Sequence, residues 1–162
     1  MSHQPRLRLR QGLFGLMAAL LLTQASMADD DERATRAPLL PKYQQECSSC
    51  HLAYPPGMLP AASWQRLMNN LPKHYGTDAS LDPATVKQLS TWLTANAGNY
   101  RRVREEPPQD RITRSAWFIH KHDEVPASTW KRPAIKSAAN CMACHTGAEK
   151  GDYDEDRVRI PR

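Results

Sequence analysis

Residues 140–147 read N-C-M-A-C-H-T-G. Cys141, Cys144 and His145 fall at the spacing CxxCH, at which two thiols and the next imidazole hold a c-type haem. The same spacing occurs earlier, in the stretch E-C-S-S-C-H that contains Cys47, Cys50 and His51. The chain has 4 Cys, and all of them lie in these two motifs. With 6 His among 162 residues, chance puts a histidine directly after both CxxC pairs on the order of once in 700.

Each part of the motif has a chemical role. Two intervening residues set both sulfurs on one helical turn, at the spacing of the two vinyl groups to which they add as thioethers. The next histidine then lies under the ring with Nε2 toward the iron. The expectation is two covalently bound haem c groups, one on Cys47, Cys50 and His51 and one on Cys141, Cys144 and His145. A zinc site made from all four cysteines is the competing reading. Zinc ribbons, however, separate their pairs by about 15–20 residues, whereas 90 residues lie between Cys50 and Cys141. Zinc would also leave His51 and His145 without a role.

The ligand on the opposite side of each iron decides the chemistry, because two strong axial ligands favour electron transfer and an open position invites substrate. Only 17 residues follow His145, with no Met or His among them, so the second haem must find its ligand upstream. The source is W-F-I-H-K-H-D-E, residues 117–124. On a helix, His120 shares a face with Ala116, Trp117 and Glu124. His122 shares the more apolar side with Phe118, Ile119 and Val125 and is preferred, with Asp123 or Glu124 expected to accept its Nδ1 proton. For the first haem the candidates are Met58, Met68 and His74. Met58, only seven residues after His51 and beyond Pro55-Pro56, is too close to cross the ring, and Met68 shares an apolar face with Trp64 as core would. His74, in the loop K-H-Y-G-T-D, is preferred.

The first 28 residues have the layout of an export signal: Arg6, Arg8 and Arg10, an apolar run from Gly12 to Thr23, and Ser26-Met27-Ala28 as a cleavage site. The apolar run is well short of the ~20 residues that span a bilayer. A cleaved signal implies a periplasmic protein whose mature form does not span the membrane. Its removal takes away three arginines and lowers the formal charge from +5 to +2. No Lys/Arg stripe interleaved with aromatics is left, which argues against nucleic-acid binding.

The mature chain divides into an N-terminal arm (29–42), a first haem domain (43–100), a Pro-broken polar linker (101–111) and a second haem domain (112–162). The pattern is mainly α, with little strand signal. Lys42 to His51 is expected to be a short helix delivering the first motif. Ala61 to Leu71 puts Trp64, Leu67, Met68 and Leu71 on one face. Asp82 and Pro83 start the clearest helix, with Val86, Leu89, Trp92 and Leu93 as its stripe and Gly98 as its cap. Thr113 is expected to cap a helix through Trp117–His122, and Ser137 one carrying Cys141–His145. Phe118 is the only phenylalanine outside the signal. A chain this short of bulky side chains needs the haems to complete its core.

The blocks E-C-S-S-C-H-L-A-Y-P-P-G-M-L-P-A-A-S-W, H-Y-G-T-D-A-S-L-D, W-F-x-x-K-H-D-E and P-A-I-K-S-A-A-N-C-M-A-C-H, with the ending V-R-I-P-R, resemble the bacterial dihaem cytochrome c family in order and over nearly the whole mature chain. The resemblance implies a periplasmic electron carrier, not an enzyme, with two bis-histidine low-spin haems. By matching positions, the ligands would be His51 and His74 on the first and His145 and His122 on the second. It implies a small class I cytochrome c fold in the N-terminal half and a less regular C-terminal module. It also implies two partners, a membrane-bound cytochrome b as donor and the sphaeroides haem protein, a small oxygen-binding cytochrome c, as acceptor. The alternative is a dihaem enzyme with a displaceable distal ligand, acting on peroxide, nitrite or thiosulfate.

Overall fold

The computed structural model describes residues 38–100 and 103–162. The expected export signal, most of the expected N-terminal arm and the start of the expected linker lie outside the described residues. Among those described there are helices and turns but no strand, and one isolated bridge pairs His74 with Thr77. The fold is therefore mainly α. No helix among these residues is long and apolar enough to cross a membrane.

Among the described residues there are four α-helices: α1 (Pro41–Cys47), α2 (Ala61–Asn69), α3 (Pro83–Ala95) and α4 (Ala116–Lys121). The remaining helical elements are three-residue 3-10 turns, at Pro56–Met58 and Leu71–Lys73 in the first half and at six places after Pro107. Helix α1 is shorter than its sequence suggests. It stops at Cys47, and Ser48 donates its N–H to Gln44 O, so the rest of the first motif is a turn. Leu39 and Leu40, assigned to a loose arm, pack against the core instead.

Helix α3 starts as its sequence dictates. Asp82 accepts from the N–H groups of Ala84 and Thr85, both at 3.0 Å, and Pro83 fills the first helical position, where no N–H is needed. Its end differs: Asn96 is the cap, with its side-chain amide donating to Trp92 O at 2.8 Å. Gly98 has a different task. Its N–H reaches Leu59 O at 2.9 Å, and a Cβ there would collide with Gly57 O and Val103. The glycine permits a close approach of two chain segments.

Helices α2 and α3 pack together over the main core, formed by Tyr43, Ala53, Leu59, Trp64, Met68, Leu71, Leu89 and Leu93. Leu89 and Leu93 are 0% exposed. Trp64 Nε1–H donates to Pro56 O at 2.7 Å, tying α2 to the turn after the first motif. No comparable cluster exists in the second half, where Phe118, Ile135 and Ala148 are the buried apolar side chains; Val103 is buried in the segment between the halves.

The segment between the halves is clamped. Arg66 holds Asp110 with Nη2 at 2.6 Å and Glu106 at 2.8 Å, and the Tyr75 hydroxyl donates to the carbonyls of Gln109 and Asp110. Gln109 and Asp110 adopt φ of 60° and 54°, a conformation that costs side chains energy and persists only when its surroundings enforce it.

Two outcomes follow from this packing. Leu89→Ala should destabilise the protein by about 2–5 kcal/mol, as cavity-forming core substitutions do, measured by denaturant unfolding followed by circular dichroism. The Arg66 hydrogen bonds hold the Asp110 carboxyl below its ordinary range. That clamp contributes fully above the ordinary carboxylate value of about 4 and is lost as pH falls through the lower folded value. Asp110→Asn should flatten this acid limb of the stability–pH curve by lowering stability modestly at neutral pH, modestly because the pair is close to solvent, and should leave stability below the folded value unchanged.

Candidate haem sites

Each CxxCH motif is faced by a second histidine. His51 and His74 lie with ring centroids 6.1 Å apart and planes 25° from parallel. His122 and His145 lie 6.2 Å apart, with planes at 78°. Metal–imidazole bonds of about 2 Å on both sides, plus roughly 1 Å from ring centre to nitrogen, give this separation. Each pair thus has room for one iron.

His51 comes from the turn after α1, and its Nδ1–H donates to Leu52 O at 2.7 Å. That bond fixes the tautomer and frees Nε2 to bind metal. His74 follows the turn Leu71–Lys73, which continues α2 and turns the chain back. The next two residues, Tyr75 (φ 52°) and Gly76 (φ 98°), complete the reversal, so a loop histidine returns against His51. Burial first, then His51 and Arg111, push the His74 imidazole below its ordinary value, which favours the neutral form that ligates metal. Met68 is core, as its helical face predicts. Met58 is buried too, but it lines the cavity of the second site.

The second site is a cavity of about 1010 Å³ that contains His122, His145, Cys141 and Cys144 in its wall, together with Trp117, Phe118 and Trp130. Ser115, not Thr113, caps α4: its hydroxyl accepts from Phe118 N–H, while Thr113 sits in the preceding turn. His122 ends this helix rather than lying along it. Its Nδ1–H donates to Phe118 O at 2.8 Å, and its ring stacks on Phe118 at 4.0 Å. The expected acceptor, Asp123 or Glu124, is thus replaced by a backbone carbonyl. His120 points outward, with 79% of its side chain exposed and Asp123 at 3.6 Å. Ile119, expected on the apolar side, is also exposed.

The second motif departs most from expectation. Ser137 caps no α-helix: Cys141–Ala143 is a single 3-10 turn, closed by Cys144 N–H and His145 N–H on Cys141 O at 3.2 and 2.8 Å. Arg159 N–H then donates to Cys144 O, and Arg132 to Pro161 O, so the tail is fastened across the motif. Burial first, then His122, lowers the His145 imidazole, while Asp152 opposes the shift.

No two of the four cysteines form a disulfide. Burial leads the causes that push Cys47 and Cys141 up to about 11. A zinc site would need gathered thiolates, yet no group of three or more His, Cys, Asp or Glu converges among the described residues. Paired thiols beside a two-imidazole gap fit haem, which brings its own four equatorial nitrogens. Several buried polar atoms near the two sites have no partner, among them Arg111 Nε, Trp117 Nε1 and the Tyr153 hydroxyl. Such orphans mark where a polar cofactor edge or water belongs. Motif spacing did not reveal Trp130 or Tyr153. A tyrosine inside the charged run G-D-Y-D-E-D was the only signal for the latter.

Comparison with known proteins agrees with this geometry. Residues 43–153 match the family model of dihaem cytochrome c. A diheme cytochrome c structure from Shewanella baltica OS155 is similar at 40% identity and TM-score 0.67, over 77% of this chain and 95% of that one. A diheme cytochrome c from Rhodobacter sphaeroides is similar at 45% identity and TM-score 0.63, over 70% and 96%. No curated protein matches. The chain belongs to the dihaem cytochrome c family and carries two covalently bound c-type haems.

Proposed function

We propose that the protein is a periplasmic electron carrier in which both irons are six-coordinate and low-spin, the first between His51 and His74 and the second between His145 and His122. The family implies haem-based electron transfer. The observation that carries the finer reading is the pair of imidazole gaps of 6.1 and 6.2 Å, each with one ring on a CxxCH motif and one from another segment.

The chain's own residues do the positioning. Carbonyls of Leu52 and Phe118 hold the Nδ1–H groups of His51 and His122 and aim Nε2 at the site. Phe118 and Trp130 flank His122 and restrict water. The haems supply the one-electron chemistry. Two imidazoles on each iron would leave no position open to substrate and would hold both potentials below those of His/Met cytochromes, because thioether ligation is what raises them. The residues divide into a first haem unit (43–100), a joining segment (101–111) and a second unit (112–162), each built around its own haem. Residues 1–28 serve as the export signal. A membrane-bound cytochrome b is proposed as donor and a small oxygen-binding cytochrome c, like the sphaeroides haem protein, as acceptor.

The test is spectroscopic. Holo-protein should show two low-spin irons and no CO binding on reduction; a high-spin signal or ready CO binding would support the alternative of an enzyme with a displaceable ligand. His122→Ala should open the second iron alone to CO. His120→Ala should leave both irons low-spin, and the opposite pattern would sink the assignment.

A further inference from the structure

One side chain touches both sites. Tyr54 stands three residues after His51, and its ring stacks on that imidazole, 5.1 Å between centroids and 20° between planes. Its hydroxyl donates to Ala139 O at 2.8 Å, 85 positions along the chain. Ala139 precedes Cys141 by two residues, and the Cys141 Sγ approaches the same carbonyl at 3.8 Å. The Tyr43 hydroxyl donates to the Tyr54 carbonyl at 3.0 Å, a main-chain bond within the first half that involves neither the Tyr54 ring nor its hydroxyl. Met58, four residues on, is buried in the wall of the second cavity. The turn that follows the first motif is therefore built against the second.

We propose that Tyr54 is a positioning residue that fixes the two haem sites relative to each other and provides the electronic contact between them, its ring against His51 and its hydroxyl on the peptide leading into Cys141. The proposal rests on the ligation given above. A hydrogen bond has a set length and direction, so it fixes separation in a way that apolar contact alone does not. The transfer is a single-electron exchange: one ferrous iron becomes ferric as the other ferric iron becomes ferrous. Tyr54 keeps its proton and its electrons, and no co-reactant is required.

The experiment uses holo-protein with both haems attached. Tyr54→Phe keeps the stacked ring and removes the bond to Ala139. Tyr43→Phe removes a hydroxyl within the first half and leaves the bridge in place. The readouts are the inter-iron distance distribution from pulsed EPR of the ferric protein and the inter-haem electron-transfer rate after rapid photoreduction. Tyr54→Phe should broaden the distribution and slow transfer several-fold, with both optical spectra unchanged, while Tyr43→Phe behaves as wild type. The proposal is overturned if Tyr54→Phe matches wild type in both readouts. It is overturned equally if Tyr43→Phe shows the same losses, which would mean general loosening of the first half. A high-spin iron in the wild type would count against the ligation, and the distance comparison would still judge Tyr54.

Discussion

The gap between facing imidazoles is the constraint on which the rest of this structure depends. Two ring pairs must stand about 6 Å apart, and a short chain has to hold them there. In the first half, packing does this. Helices α2 and α3 bury a leucine-rich face, and the turn after α2 carries His74 back over His51. In the second half there is little packing of that kind. Short turns, a stacked Phe118 and a tail fastened across the motif surround a cavity of about 1010 Å³. The haem supplies the apolar bulk that the sequence lacks there.

This division explains why the halves look so different while doing the same chemistry. A helical half keeps its shape through backbone hydrogen bonds and a common core. A turn-rich half has fewer of either and depends on its cofactor and on neighbours such as Met58, which belongs to the first half in sequence. The segment between them is more than a tether. Arg66 and Tyr75 grip it from the side of the first site, and residues with positive φ are held there against their preference.

Legibility in the sequence followed the physics of each element. The start of α3 was readable because Asp82 and Pro83 act locally, through bonds within one turn. The two CxxCH stretches were readable as haem-attachment motifs because covalent chemistry demands a fixed spacing. Preference for His122 over His120 came from which side of a helix was apolar; the structure half-buries His122 against Phe118 and leaves His120 exposed. The reason was only partly right, since Ile119 faces outward and His122 caps the helix instead of lying on its face. The turn at Cys141–Ala143 and the tail bonds were not readable. They depend on contacts between residues distant in sequence, such as Arg132 with Pro161, which leave no local pattern. The cap at Asn96 was misread for a related reason, because Gly98 is needed for a neighbouring strand of chain and not for the helix end.

The two imidazole pairs also differ in twist, 25° in one and 78° in the other. An imidazole bound to iron would donate into the d orbital perpendicular to its own plane. Near-parallel rings raise one of the two orbitals above the other, whereas crossed rings treat both alike and leave them nearly degenerate. With the ligation proposed above, the first iron would have a well-split ground state and the second a strongly anisotropic one. Two irons with the same chemical ligands would thus be told apart by magnetism alone, and an electron could be located on one or the other without altering a single residue.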